Sequence, residues 1–159
     1  MRRKAYIPFI LVLCLLMSGC SGLNRLRNIR VTSAELESAS PRGFRSLAGT
    51  VLLGIESPEG YTEFFDTEGY ISRLGVKIGT FDVEPVILDA GGSQSCRLFV
   101  TVSLMPDISV MEVLSLMSDF NLNDYTLDLK TMVRFRPDAK GIKLSFKDKT
   151  VSDIINRRI

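Results

Sequence analysis

The chain has 159 residues, 20 basic and 18 acidic side chains, a formal charge of +2, and neither histidine nor tryptophan. That length suits one domain with a real core. Without histidine the chain lacks the commonest general base and the commonest metal ligand, and a nearly balanced charge gives no footing for nucleic-acid binding.

Met1 is followed by Arg2, Arg3 and Lys4, a basic opening. Residues 5–17 are apolar apart from Tyr6 and Pro8, a run shorter than the ~18 residues that a membrane-spanning helix needs. Ser18 and Gly19 are the small residues that a signal peptidase accepts, and Cys20 follows at once. The stretch Leu16-Met17-Ser18-Gly19-Cys20 resembles the lipobox of bacterial lipoproteins, with Met17 where that family prefers leucine. The resemblance implies cleavage before Cys20, diacylation of its thiol, and often acylation of its new amino group, with palmitate among the chains. Two or three acyl chains give the stable anchoring that one alone does not. The chain therefore divides into a signal peptide (1–19), a lipidated tether (20–28) and a domain (29–159). Arg25, Arg27 and Arg30 lie close to the lipid and are expected to meet anionic headgroups, each worth roughly 1 kcal/mol.

Without the leader, 17 basic residues face 18 acidic ones, so the basic excess belongs to the signal peptide. The remaining charge is uneven. Residues 134–159 carry 8 basic and 3 acidic side chains, Arg134, Arg136, Lys140, Lys143, Lys147 and Lys149 among them. This tail reads as a solvated last strand and chain end, or as a patch for anionic lipid or an acidic partner. Of the 3 cysteines, Cys14 leaves with the leader and Cys20 carries lipid. Cys96 is then alone, and its place in the alternating run Cys96, Leu98, Val100, Val102, Leu104 makes it a buried apolar residue.

In the domain, residues 29–36 read as a first strand and Ser40-Pro41-Arg42-Gly43 as a turn. Residues 47–55 are apolar and partly β-branched, a central strand in which Gly49 and Gly54 mark a bulge or close packing. Ser57-Pro58-Glu59-Gly60 ends it. Residues 64–73 and 76–81 form a hairpin around Leu74-Gly75, and 85–88 a short strand closed by Ala90-Gly91-Gly92. Residues 95–104 alternate strictly. Ser109 and Glu112 have the spacing of a capping box, and Val110, Val113, Leu114 and Met117 fall on one face of the helix behind it. Asn121 and Asn123 end that helix. Residues 125–135 alternate again, with one slip, and Ile142, Leu144 and Phe146 make a last strand. About seven short strands, with turns every ten residues or so, predict a mainly β fold, an immunoglobulin-like β-sandwich with one α-helix over an open end or edge.

No glycine-rich phosphate loop or zinc-type cysteine pair appears. The acidic group Glu56, Glu59, Glu63, Asp66, Glu68 lacks the ligand spacing of a calcium loop and reads as a solvated face. Neither a cofactor nor catalytic residues are expected.

Two further stretches carry a family resemblance. Val51-Leu52-Leu53-Gly54-Ile55-Glu56-Ser57-Pro58 is similar to the signature of the group-2 late embryogenesis abundant domain (the water-stress and hypersensitive-response domain), in which asparagine usually stands where Ser57 does. The strand, turn and strand of residues 70–81 is similar to its next element, and 98–104 and 110–117 follow in its order. The resemblance covers roughly residues 29–148 and extends to Bacteroidetes-type lipoproteins that carry the domain. It implies a fibronectin-III-like sandwich with one helix, no catalytic residues and no cofactor. Together these readings predict a non-enzymatic, lipid-anchored envelope protein, a binding or structural module with a stress-protective role, partnered by membrane lipid and by an envelope protein. The alternative is a periplasmic carrier of a lipid or other apolar ligand. The tether has neither an aspartate directly after Cys20 nor an acidic run, which predicts the outer membrane, facing the periplasm.

Overall fold

The computed structural model describes residues 25–89, 91–118 and 121–150. Residues 25–28 are helical. Eight strands follow: β1 (Arg30–Pro41), β2 (Ser46–Ser57), β3 (Thr62–Arg73), β4 (Val76–Val83), β5 (Val86–Leu88), β6 (Gly92–Leu104), β7 (Tyr125–Arg134) and β8 (Ile142–Thr150). One α-helix, α1 (Val110–Ser118), and a 3-10 turn, Leu122–Asp124, lie between β6 and β7. The fold is mainly β and sandwich-like, as the strand pattern predicts.

The two layers are arms of one antiparallel sheet in the order β1-β2-β6-β4-β3-β7-β8, with β5 on β3. β4 joins the arms, because it pairs with β3 on one side and with the end of β6 on the other. Beyond Val83 the arms part: the Glu84 N–H still donates to the Phe99 carbonyl, and then β5 continues along β3 alone. Pro85 marks the break, since it has no N–H to give a ladder.

Two apolar clusters fill the space between the arms. One gathers Ile55 from the first arm with Leu88 and Val133 from the second, and Leu26 and Ile29 complete it. The stretch read as a tether thus contributes Leu26 to the core. The other cluster joins Leu47, Ile78, Leu104 and Tyr125, with Val110 and Val113 of the helix packed against it. Between the clusters the Thr67 and Thr131 hydroxyls share a hydrogen bond of 2.6 Å. Val51, Leu98 and Val100, apolar residues of the central strands, are half-buried at this waist, and Leu53 and Val102 are half-buried at the margins of the clusters. Only a closed sandwich would cover that row fully, and these arms are held together at one end.

Local chemistry explains the elements. Leu74 and Gly75 both have positive φ (49° and 82°), the geometry of a two-residue hairpin turn that matches strand twist. The capping box forms: the Ser109 N–H donates to Glu112 Oε2 at 2.7 Å, and the Glu112 N–H donates to Ser109 Oγ at 3.2 Å. That contact holds the Glu112 carboxyl below its ordinary pKa. β1 runs further than expected, to Pro41, with register breaks between Val31 and Ser33 and between Leu36 and Ser38. The first break faces Gly54, where a Cβ would collide with Ser33 Oγ.

Candidate functional site

A shallow trough of about 500 Å³ lies on the outer face of β4, β3, β7 and β8. Alternation builds it. Each strand turns two polar residues outward: Thr80 and Asp82, Glu68 and Tyr70, Asp128 and Lys130, Ser145 and Lys147. Register then sets them side by side, Glu68 between Asp82 and Lys130, and Tyr70 between Thr80 and Asp128. Asp66, at φ 49°, is the extra residue of a bulge that shifts β3 against β7 and places Glu68 opposite Lys130. Gly69 lets β7 close in, since a Cβ there would collide with the Asp128 carbonyl, and the Phe81 ring lies against the vacant side.

Some of these groups already have work. One oxygen of Asp128 accepts the Asp148 N–H at 2.9 Å and so holds the bend in β8. The Lys77 ammonium lies 3.6 Å from the centre of the Tyr70 ring, a cation–π contact. What remains is a floor of carboxylates, ammonium groups, hydroxyls and one phenol, suited to a polar, hydrogen-bonding ligand. Glu68 and Asp82 sit next to each other on this floor. Among the described residues no cluster of three or more histidine, cysteine, aspartate or glutamate side chains can hold a metal ion.

A second polar group stands near the start of β3. Glu63 is buried, and both its oxygens bind Arg134, the second bond at 3.0 Å. The Tyr61 hydroxyl donates to the same carboxylate at 2.5 Å. Arg134 comes first among the causes that hold the Glu63 carboxyl below its ordinary pKa, and Tyr61 second. Two expectations are corrected here. Glu63 does not belong to a solvated acidic face, and Arg134 does not belong to a free basic tail. The two are cross-strand neighbours, 71 positions apart.

The residues singled out from sequence are placed as follows. Cys20 lies outside the described residues. Arg27 is exposed. Arg25 is half-buried against Gly60, its guanidinium 3.0 Å from where a Cβ would stand. Arg30 is half-buried opposite Glu56. Cys96 is half-buried against the first cluster, and burial pushes its thiol above the ordinary range, away from the reactive thiolate. The trough itself escaped the sequence reading. Its signal is a polar pair at i and i+2, repeated on four strands, with Phe81, Gly69, Leu129 and Phe146 between the members of each pair.

No family model matches the chain, and no curated protein does. Among solved structures it is similar to a protein from Archaeoglobus fulgidus, known by its crystal structure, at 10 % identity and a TM-score of 0.42, over 76 % of this chain and 99 % of that one. A likeness at that level says nothing of what this chain does.

Proposed function

We propose that this chain is a non-enzymatic lipoprotein of the bacterial cell envelope, held by acyl chains on Cys20, whose sheet domain is a binding or structural module. The observation that carries the reading is the order of the first twenty residues: basic start, short apolar run, Ser18, Gly19, Cys20. The polar lining of the trough supports a binding module for a polar, hydrogen-bonding ligand. The late-embryogenesis-abundant resemblance adds a stress-protective role. The untargeted tether after Cys20 adds the outer membrane, facing the periplasm. The test is Cys20→Ala in a bacterium fed a palmitate analogue. The label should vanish and the unprocessed precursor should accumulate. Label that survives the substitution overturns the anchor.

A further inference from the structure

The pole of the domain farthest from the chain entry is apolar at its tips. Phe44 caps the β1–β2 turn and is 98 % exposed, with Arg42 and Arg45 on either side. At the β3–β4 turn Leu74 is 71 % exposed and Val76 65 %, flanked by Arg73 and Lys77. The two turns lie at the same end of the sheet: the Arg45 carbonyl accepts the Leu104 N–H, and the Ile78 carbonyl accepts the next N–H, that of Met105. The helix packs there too. Val110 and Val113 face the second cluster, while Met111 points to solvent at 74 % exposure. Three separate segments thus raise large apolar side chains at one pole, a grouping rather than the single exposed residues ordinary on a surface.

We propose that this pole docks on an anionic phospholipid leaflet, with Phe44, Leu74 and Met111 entering the acyl boundary and Arg42 and Arg45 at the phosphates. The pattern at the β1–β2 turn carries the choice of partner: an apolar apex between cations matches the depth profile of a bilayer interface, apolar inside and anionic outside, whereas at the β3–β4 turn Arg73 is paired with Asp124 and Lys77 lies on the Tyr70 ring. Among the described residues Arg42 and Arg45 make no ion pair, so their charge is open to such a surface.

The leaflet is the one that holds Cys20, and this choice rests on the lipoprotein reading. β1 alone, with 12 residues, spans about 36 Å between Ile29 and the Phe44 turn. Five residues separate Cys20 from the buried Leu26, so both ends of a domain lying along the leaflet reach it. Tethering by lipid raises the effective concentration of that leaflet to the order of millimolar or above, which an unconnected bilayer does not match.

The experiment uses Phe44→Trp in the full chain, which otherwise has no tryptophan. The position is exposed, so the fold is indifferent to the change. The protein is reconstituted into vesicles of phosphatidylglycerol and phosphatidylcholine, with and without brominated acyl chains, and floated. Emission from the single indole should shift to the blue and lose most of its intensity to brominated lipid. Arg42→Gln with Arg45→Gln, or vesicles of phosphatidylcholine alone, should return it to the aqueous spectrum. Protein that floats while the indole stays in water, open to acrylamide, overturns the docking surface, leaves the anchor standing and gives the pole to a protein partner. Protein that floats with the indole quenched by bromine but carries no acyl mass on Cys20 overturns the anchor and keeps the docking surface.

Discussion

Val133→Ala tests whether the two arms of the sheet enclose a core. Val133 has 0 % exposure and lies between Phe64 and Ile142 in the ladder of the second arm, with Ile55 of the first arm in its cluster. The substitution removes two methyl groups. At about 0.8 kcal/mol per buried carbon the transfer loss is about 1.6 kcal/mol. A residual void on the order of 40 Å³ adds about 1 kcal/mol at roughly 24 cal/mol per Å³. The expected loss is therefore about 2–3 kcal/mol. With a urea m-value of about 1–3 kcal/mol per molar, the midpoint falls by about 1–3 M. Circular dichroism follows the melt, since the chain has no tryptophan to report it. Val100→Ala, at the half-buried waist, serves as the control and should cost about half as much. Equal midpoints for Val133→Ala and the parent, at unchanged m, would mean that the arms do not close over Val133, and the sandwich-like description would fail.

Three more expectations follow from single contacts. Ser109→Ala removes the oxygen that accepts the Glu112 N–H and should cost about 1 kcal/mol, read as faster hydrogen exchange along α1; exchange unchanged there contradicts the capping role. Glu63 has a folded pKa below its unfolded value, so its contribution is present above about pH 4.5 and is lost as pH falls through the folded pKa. Glu63→Gln should flatten the acid limb of a stability–pH curve, and an unchanged limb refutes the buried-pair account. Protease added to intact cells should spare the domain and digest it after permeabilisation; digestion without permeabilisation places the domain outside.

Local signals were legible in the sequence and long-range ones were not. The Leu74–Gly75 turn, the Ser109–Glu112 cap and the alternation of β6 are each written within a dozen residues, where backbone preference and side-chain period act directly. The Glu63–Arg134 pair is not, because it exists only once β3 and β7 are in register. Glu63 did carry a mark, a charge between Thr62 and the apolar Phe64 and Phe65, at the alternate position from Tyr61. Asp66 hid the rest. A bulge adds one residue to one strand, so the positions on either side of it change phase, and a reading by strict alternation puts one half of β3 on the wrong face. The burial of Leu26 was likewise invisible, since nothing near it in sequence supplies its neighbours Ile55, Leu88 and Val133.

The two outermost strands, β1 and β8, each leave a free edge, and each is guarded differently. β8 turns Lys143 and Lys147 to its outer face, with Lys149 beyond a left-handed Asp148. A second β8 laid alongside would bring lysines together, which costs free energy as soon as the ammonium groups lose water. β1 carries Glu35 and Glu37, with Glu37 held on the outer face by Arg97 at 2.9 Å, so pairing β1 with another β1 opposes carboxylates. Only β1 against β8 is complementary in charge. There the backbone decides: the register breaks in β1 leave unbroken runs no longer than Ser33–Leu36 and Ser38–Pro41, and Pro41 has no N–H to donate. A strand added from another copy would meet a ladder interrupted every four residues. Those interruptions work against open-ended growth of the sheet without burying the edges of β1 or β8.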